Sequence, residues 1–289
     1  MRADPYAVPH LFGVTEIGGP PARVVAAGFT ELDACVALGV VPVAAQAWKV
    51  AEIVFPWSTP LLAGATPTMF PPGEFFDAER IAAAEPDLIL VTSEAVGRDQ
   101  YDTLSAIAPT VVSDRRDVFL CPWPDETMQI GRALGRARAA AGLVSDVERG
   151  FAAVRAQIGG HGLSAAVVAG RHGATVYAYV HRATRRALLT GLGFRVPAAI
   201  EPFAAGGDSA DIDVTEITAL DCDVLVLLDS ARDLVDDPDL TALRAIRGGA
   251  IVIAPPAATR AIEFSTALSL QFALAELGPH LVQAARSIR

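Results

Sequence analysis

Arginine and aromatic side chains gather in the segments that follow the apolar strand patterns of this chain. In the first half these segments are GFTE (28–31), AWK (47–49), FPWS (55–58) and SEAVGR (93–98); in the second they are YAYVHRATRR (177–186), DSAR (229–232) and PAATR (256–260). In open α/β sheets, ligands sit at the carboxyl ends of the strands, where such segments lie. The candidate ligand contacts are therefore Phe29, Trp48, Trp57, Arg98, Tyr179, Arg182, Arg185 and Arg260. A guanidinium pairs with planar anionic groups through a fixed fork of donors, and aromatic faces stack on flat or cationic ones. Each tryptophan also suits a half-buried packing role, which sequence alone does not separate from a binding role.

Catalytic patterns are weak by comparison. The chain contains no G-x-S-x-G, no G-x-x-x-x-G-K-[ST] and no G-x-G-x-x-G, and the turns after RVVAAG and AAVVAG hold too few glycines to cradle a pyrophosphate. The five histidines, His10, His161, His172, His181 and His280, form no H-x-x-x-H pair and have no cysteine or acidic cluster beside them, so no metal site is expected. His172 and His181 flank GATVYAYV and are kept as candidate ligand contacts. The three cysteines, Cys35, Cys121 and Cys222, make no C-x-x-C pair; Cys35 and Cys222 lie inside apolar patterns, as small core residues do.

These residues need a frame, and the chain supplies one twice. DAERIAAAEPDLILV (77–91) and DVTEITALDCDVLVL (213–227) both place an Asp before a short helix pattern and an apolar strand after it. In the first copy, Asp77 is the expected N-cap and Pro86 the stop; before it, Thr30 or its neighbour is expected to cap the helix pattern 30–39. RVVAAG (23–28) and AAVVAG (165–170) open the two halves, and YDTLSAIAPTVVS matches LTALRAIRGGAIVIA downstream. The steps from Asp77 to Ile107 and from Asp213 to Ile246 are 30 and 33 residues, so the order and the spacing both repeat. Strands alternating with helices predict parallel sheets. Between the halves, Val144, Val147, Phe151, Val154 and Ile158 fall on an arc of about 80° at helical periodicity, which predicts one long, stiff helix. The expected organisation is an N-terminal α/β lobe at 8–135, a backbone helix at 136–160 and a C-terminal α/β lobe at 161–289.

Composition narrows the partners. A hydrophobic content of 52% over 289 residues is ample for two cores and argues against disorder. A net charge of −10 disfavours nucleic acid or an anionic membrane surface as the main partner, because both require a basic face. Of the 23 basic residues only Lys49 is a lysine. No apolar run approaches the ~18 residues of a membrane span, and the first residues lack a charged-then-apolar leader pattern.

PARVVAAGFTELDACVALGVVPV, DAERIAAAEPDLILV, YDTLSAIAPTVV and IEFSTALSLQFALAEL together resemble the iron-siderophore/cobalamin substrate-binding proteins of ABC importers, and within them the ferric-siderophore branch. The resemblance spans residues 8–285 in family order. It implies two Rossmann-like α/β lobes with parallel sheets joined by one rigid helix, and a ferric siderophore held in the cleft between them. It implies an extracytoplasmic protein, periplasmic or lipid-anchored through a leader not contained in this sequence, expected to be a monomer and not an enzyme, with no permanent cofactor. It also implies docking on a membrane permease through one glutamate in each lobe. The first docking position falls on Glu79; the second falls on Thr215, with Glu216 one residue further on, so Glu79 and Glu216 are the candidate docking residues. Asp213 and Glu216 also have the spacing of a capping box. In related siderophore binders an arginine in the segment after YAYV contacts ligand, and Arg185 matches it. Haem is the alternative ligand, with Tyr177, Tyr179, His172 or His181 as axial group, and a relative that binds ligand without import coupling is the other alternative.

Overall fold

The computed structural model describes all residues except 1–3, 48–54, 72–76, 117, 119–120, 160–161, 180–186, 205–208 and 289. The chain forms two compact units: Met1–Ser145 with Thr266–Leu268, and Asp146–Ser265 with Ser269–Arg289.

The first unit opens with an antiparallel hairpin, β1 (Tyr6–His10) and β2 (Gly13–Ile17). There follow β3 (Val24–Ala26), α1 (Glu31–Ala37), β4 (Ala44–Gln46), β5 (Thr68–Phe70), α2 (Ala78–Ala83), β6 (Leu88–Val91), α3 (Arg98–Ser105), β7 (Thr110–Val112) and α4 (Trp123–Ala133). Strands β3 to β7 form one parallel sheet in the order β5-β4-β3-β6-β7. Strands β3, β4, β6 and β7 are buried on both faces, which is why LILV at β6 reads as a continuous apolar run, while the edge strand β5 exposes Thr68. Alternate residues serve opposite layers. Val24, Leu88, Leu90 and Val111 pack with Cys35, Leu38, Ile130 and Leu134; Val25, Ile89, Val91 and Val112 pack with Ile81 and Leu104. Asp77 caps α2 by accepting from the Arg80 amide at 3.0 Å. Thr30 holds the N-cap position of α1, but it makes no side-chain cap; its hydroxyl is bonded to Glu126 instead.

Helix α5 (Ala137–Ile158, 22 residues) carries the chain from one unit into the next. Val147, Phe151 and Ile158 are buried along it. Gly150 lies where a Cβ would stand 3.0 Å from a Leu274 methyl.

The second unit contains β8 (Ala165–His172), β9 (Thr175–Tyr179), α6 (Ala187–Gly191), β10 (Ser209–Asp213), β11 (Val224–Leu227), α7 (Arg244–Arg247), β12 (Ile251–Ile253), α8 (Pro256–Phe264) and α9 (Ala267–Ser287). Its sheet runs β10-β9-β8-β11-β12. Here the parallel expectation holds for β8, β11 and β12 only; β9 and β10 are antiparallel. The cause is local. Gly173 takes φ 59°, a left-handed turn that folds β9 straight back on β8. The downstream copy of the repeated unit also differs, because Val214–Leu220 winds as a 3-10 helix where α2 is α-helical. The β-branched Val214, Thr215, Ile217 and Thr218 favour the α-helix less than the alanines of α2 do.

Candidate functional site at the carboxyl edge of the first sheet

In the first sheet β3 lies between β4 and β6, so the chain reverses its direction of travel across the sheet at β3. The carboxyl ends of β3 and β6 flank that switch point, where open α/β sheets bind ligands. Two loops leave from it: Gly28-Phe29-Thr30 after β3, and Thr92-Ser93-Glu94 after β6.

Glu31, the first residue of α1, is fully buried and ties these loops together. Its Oε1 accepts from the amides of Thr92 and of Ser93, the latter at 2.8 Å, and faces the Thr92 hydroxyl at 3.0 Å. Its Oε2 accepts from the Ser93 hydroxyl at 2.8 Å and the Thr30 amide at 3.1 Å. The Ser93 hydroxyl in turn accepts from the Phe29 amide at 2.9 Å. Gly28 is required by this packing: a Cβ there would collide with both Glu31 carboxyl oxygens and the Ser93 hydroxyl. Phe29 is thereby held, half-buried, at the mouth of the loop.

Two residues along α1, Asp33 is also buried and accepts from Trp57 Nε1 at 2.6 Å, Thr266 Oγ1 at 2.8 Å and the Ser58 hydroxyl. Burial pushes the Asp33 carboxyl up, against the opposing effect of those three hydrogen bonds. The Trp57 indole is itself buried and stacks on Phe55 with centroids 4.7 Å apart. Glu126, on α4, accepts from Thr30 Oγ1 at 2.6 Å and faces Thr92 Oγ1 at 3.1 Å. Burial, and then the nearby Glu31, push Glu126 up to about 7. The same two causes, in the same order, push Glu94 up to about 7.

Further along this edge, Leu11, Glu94, Val112, Ser113, Arg115 and Arg116 line a pocket. Arg115 is paired with Asp125 at 2.8 Å. Arg116 is exposed and makes no ion pair among the described residues. Arg98 is exposed, bonds Asp102 at 3.0 Å, and lies over the Phe12 and Tyr101 rings at 5.8 and 5.7 Å. At the end of β4, Gln46 is buried and donates to the carbonyls of Ala47 and Pro71, while its Oε1 has no hydrogen-bond partner among the described residues.

In the second unit, Tyr179 and Arg260 meet on one carboxylate. The Tyr179 hydroxyl donates to Glu263 Oε1 at 3.3 Å and Arg260 Nη1 bonds Glu263 Oε2 at 2.7 Å. His172 is exposed at the end of β8 and Tyr177 is half-buried on β9. Trp48, His181, Arg182 and Arg185 lie outside the described residues. Glu79 and Glu216 are both exposed, and neither makes an ion pair among the described residues. Asp213 caps its 3-10 helix through the Thr215 amide at 2.9 Å and binds the Thr215 hydroxyl at 2.6 Å, so the capping partner is Thr215 and not Glu216.

Glu31, Asp33, Glu126, Arg116 and Glu263 are the residues that sequence reasoning missed. Only Glu263 left a local signal, its i+3 spacing from Arg260. All three cysteines are free and buried, with Cys121 and Cys222 pushed up to about 12 mainly by burial. Among the described residues no group of three or more His, Cys, Asp or Glu could hold a metal ion, and no helix is long and apolar enough to cross a membrane.

A family model described as "Periplasmic binding protein" matches residues 28–258, from the Gly28 loop to the start of α8. The chain belongs to this family of periplasmic binding proteins. A periplasmic solute-binding protein from Mycobacterium smegmatis superposes on it with a TM-score of 0.86 and 32% identity, over 97% of this chain and 99% of that one. PiaA from Streptococcus pneumoniae, in complex with ferrichrome, gives a TM-score of 0.80 at 24% identity over 97% of this chain and 99% of its own. SirA from Staphylococcus aureus, complexed with staphyloferrin B, gives 0.76 at 24% over 96% and 98%. Compared by sequence with curated proteins, this periplasmic binding protein matches none.

Proposed function

We propose that this periplasmic binding protein is the extracytoplasmic substrate-binding component of an ABC importer, and that it captures a ferric siderophore. The observation that carries the reading is the end-to-end likeness of its fold to two proteins whose structures hold ferrichrome and staphyloferrin B. The chemistry at the edge of the first sheet supports it. Arg116 offers an exposed guanidinium that makes no ion pair among the described residues, and Phe29 is held beside the switch point by Ser93. Such groups suit the oxygen-rich, planar faces of an iron chelate. Phe29, Trp48, Trp57, Arg98, Tyr179, Arg182, Arg185 and Arg260 remain the proposed contacts, joined now by Arg116. The protein acts as a monomer held at the cell envelope by a lipid anchor, and the siderophore comes and goes as cargo.

Tryptophan fluorescence tests the ligand. Ferrichrome, ferrioxamine B and staphyloferrin B in their ferric forms are titrated beside haem. Saturable quenching by at least one ferric chelate is expected. A haem Soret band lost on Tyr179→Phe, with no quenching by any chelate, would overturn the siderophore reading. Glu79 and Glu216 are proposed to dock on the permease. Replacing both with alanine should cut cellular uptake several-fold while leaving chelate affinity unchanged, because rim charges set encounter and register rather than ligand binding. Unchanged uptake would remove both residues from docking and favour a protein that binds ligand without import coupling.

A further inference from the structure

We propose that Glu126 is a positioning residue for ligand capture: in its protonated form it fixes the Gly28–Thr30 loop through Thr92 and Glu31. The inference rests on the siderophore reading only in taking Phe29 as a ligand contact.

The geometry turns on one hydroxyl. Thr92 Oγ1 lies 3.0 Å from Glu31 Oε1 and 3.1 Å from Glu126 Oε1. A hydroxyl has one proton and can donate to only one of them. The other carboxyl must therefore supply the hydrogen. Glu31 Oε1 already accepts two backbone amides, from Thr92 and Ser93, which suits a carboxylate and leaves it no reason to donate. The consistent arrangement is a chain in one direction: the Glu126 O–H donates to Thr92 Oγ1, and the Thr92 O–H donates to Glu31. The Thr30 hydroxyl, 2.6 Å from Glu126, closes the circuit back onto the loop.

The surroundings favour that proton. Glu31 and Asp33 face Glu126 from α1, Glu94 follows β6 and faces Glu31, and Asp125 and Cys121 flank it on its own segment. Arg115, the guanidinium near Cys121, is engaged by Asp125 at 2.8 Å. Burial first, then Glu31 and Asp33, push Glu126 up to about 7, against the hydrogen bonds with Thr30 and Thr92. A second negative charge at Glu126 would face Glu31 across a single hydroxyl and loosen what Glu31 holds, namely the Thr30 amide directly and the Phe29 amide through Ser93.

The test uses the ligand-free protein with 13C-labelled glutamate carboxyls and 15N amides, followed by NMR from about pH 5 to 9. We expect the Glu126 carboxyl to titrate near neutrality and the Phe29 and Thr30 amides to move with the same midpoint. Glu126→Gln, which keeps a donor and an acceptor at that position, should abolish the amide titration. Glu94→Gln should leave it in place. Thr92→Val, which removes the bridging hydroxyl, should uncouple the amides from Glu126 even if Glu126→Gln fails to fold. A Glu126 carboxyl that titrates in the ordinary carboxylate range would overturn the proposal, and so would amides that titrate unchanged in Thr92→Val. The binding arm repeats the ferric-chelate titration near pH 6 and pH 8. Affinity should fall several-fold with rising pH in the native protein and stay flat in Glu126→Gln. If no chelate binds at either pH, the siderophore reading fails, while the carboxyl titration still decides the role of Glu126.

Discussion

Asp33 shows what a buried carboxyl group requires when it makes no ion pair among the described residues. Three donors from distant parts of the chain, Trp57, Ser58 and Thr266, converge on its two oxygens. Asp33→Ala would leave three donors facing nothing, and a loss of about 3 kcal/mol in the stability of the protein is expected, read as a lowered denaturation midpoint. Asp33→Asn keeps one acceptor oxygen and should cost roughly half as much. Equal stability of the two variants would show that the donors find other partners. Nothing in T-E-L-D announces any of this. Two acids in the first turn of a helix look like exposed complements to its dipole, and the Thr266 donor lies 233 positions away. The loop residues were more legible. Phe29 stood out because Gly28 closes an apolar strand pattern, and the structure supplies the reason for that glycine in the Glu31 and Ser93 oxygens beside it.

Among the elements, α4 and α5 meet with almost no side chain between them. A Cβ on Gly131 would overlap the Ala140 methyl. Gly131→Ala is therefore expected to destabilise the protein by about 1–3 kcal/mol despite the better helix propensity of alanine, through forced separation of the helices. Adding Ala140→Gly should recover part of that loss in a double-mutant cycle, and purely additive effects would place the strain elsewhere. Helix α5 was readable because five apolar residues recur at one period, and Val147, Phe151 and Ile158 are buried as that period requires. The repeated unit was readable in outline only. Both copies have an Asp cap and an apolar strand. The 3-10 winding of the second copy and the antiparallel β9 depend on β-branched content and on the φ of one glycine, and pattern matching at the level of apolar and polar positions blurs both.

For the whole molecule, the carboxyl groups impose an unusual dependence of stability on pH. Glu94 and Glu126 bind a proton more tightly in the folded state, about 7 against an ordinary 4.5. Their contribution to stability is therefore complete below about pH 4.5 and is lost as pH rises through about 7, the reverse of a salt-bridged carboxylate. Glu126 can contribute a slope of at most about 1.4 kcal/mol per pH unit in that window, and the half-buried Glu94 contributes less because solvent screens it. Chemical denaturation at pH 5.5 and 7.5 should show the native protein losing stability relative to the Glu94→Gln, Glu126→Gln double variant; parallel behaviour would show that neither proton is retained. The net charge of −10 describes the whole chain and gave no sign of these two half-buried carboxyl groups. The central claim remains capture of an iron chelate by a periplasmic binding protein. Calorimetric titration with the ferric and the iron-free form of the same siderophore tests it most directly. One ferric chelate bound per chain is expected, with markedly weaker binding of the iron-free form; no binding of any ferric chelate, or equal affinity for the two forms, would rule out siderophore capture.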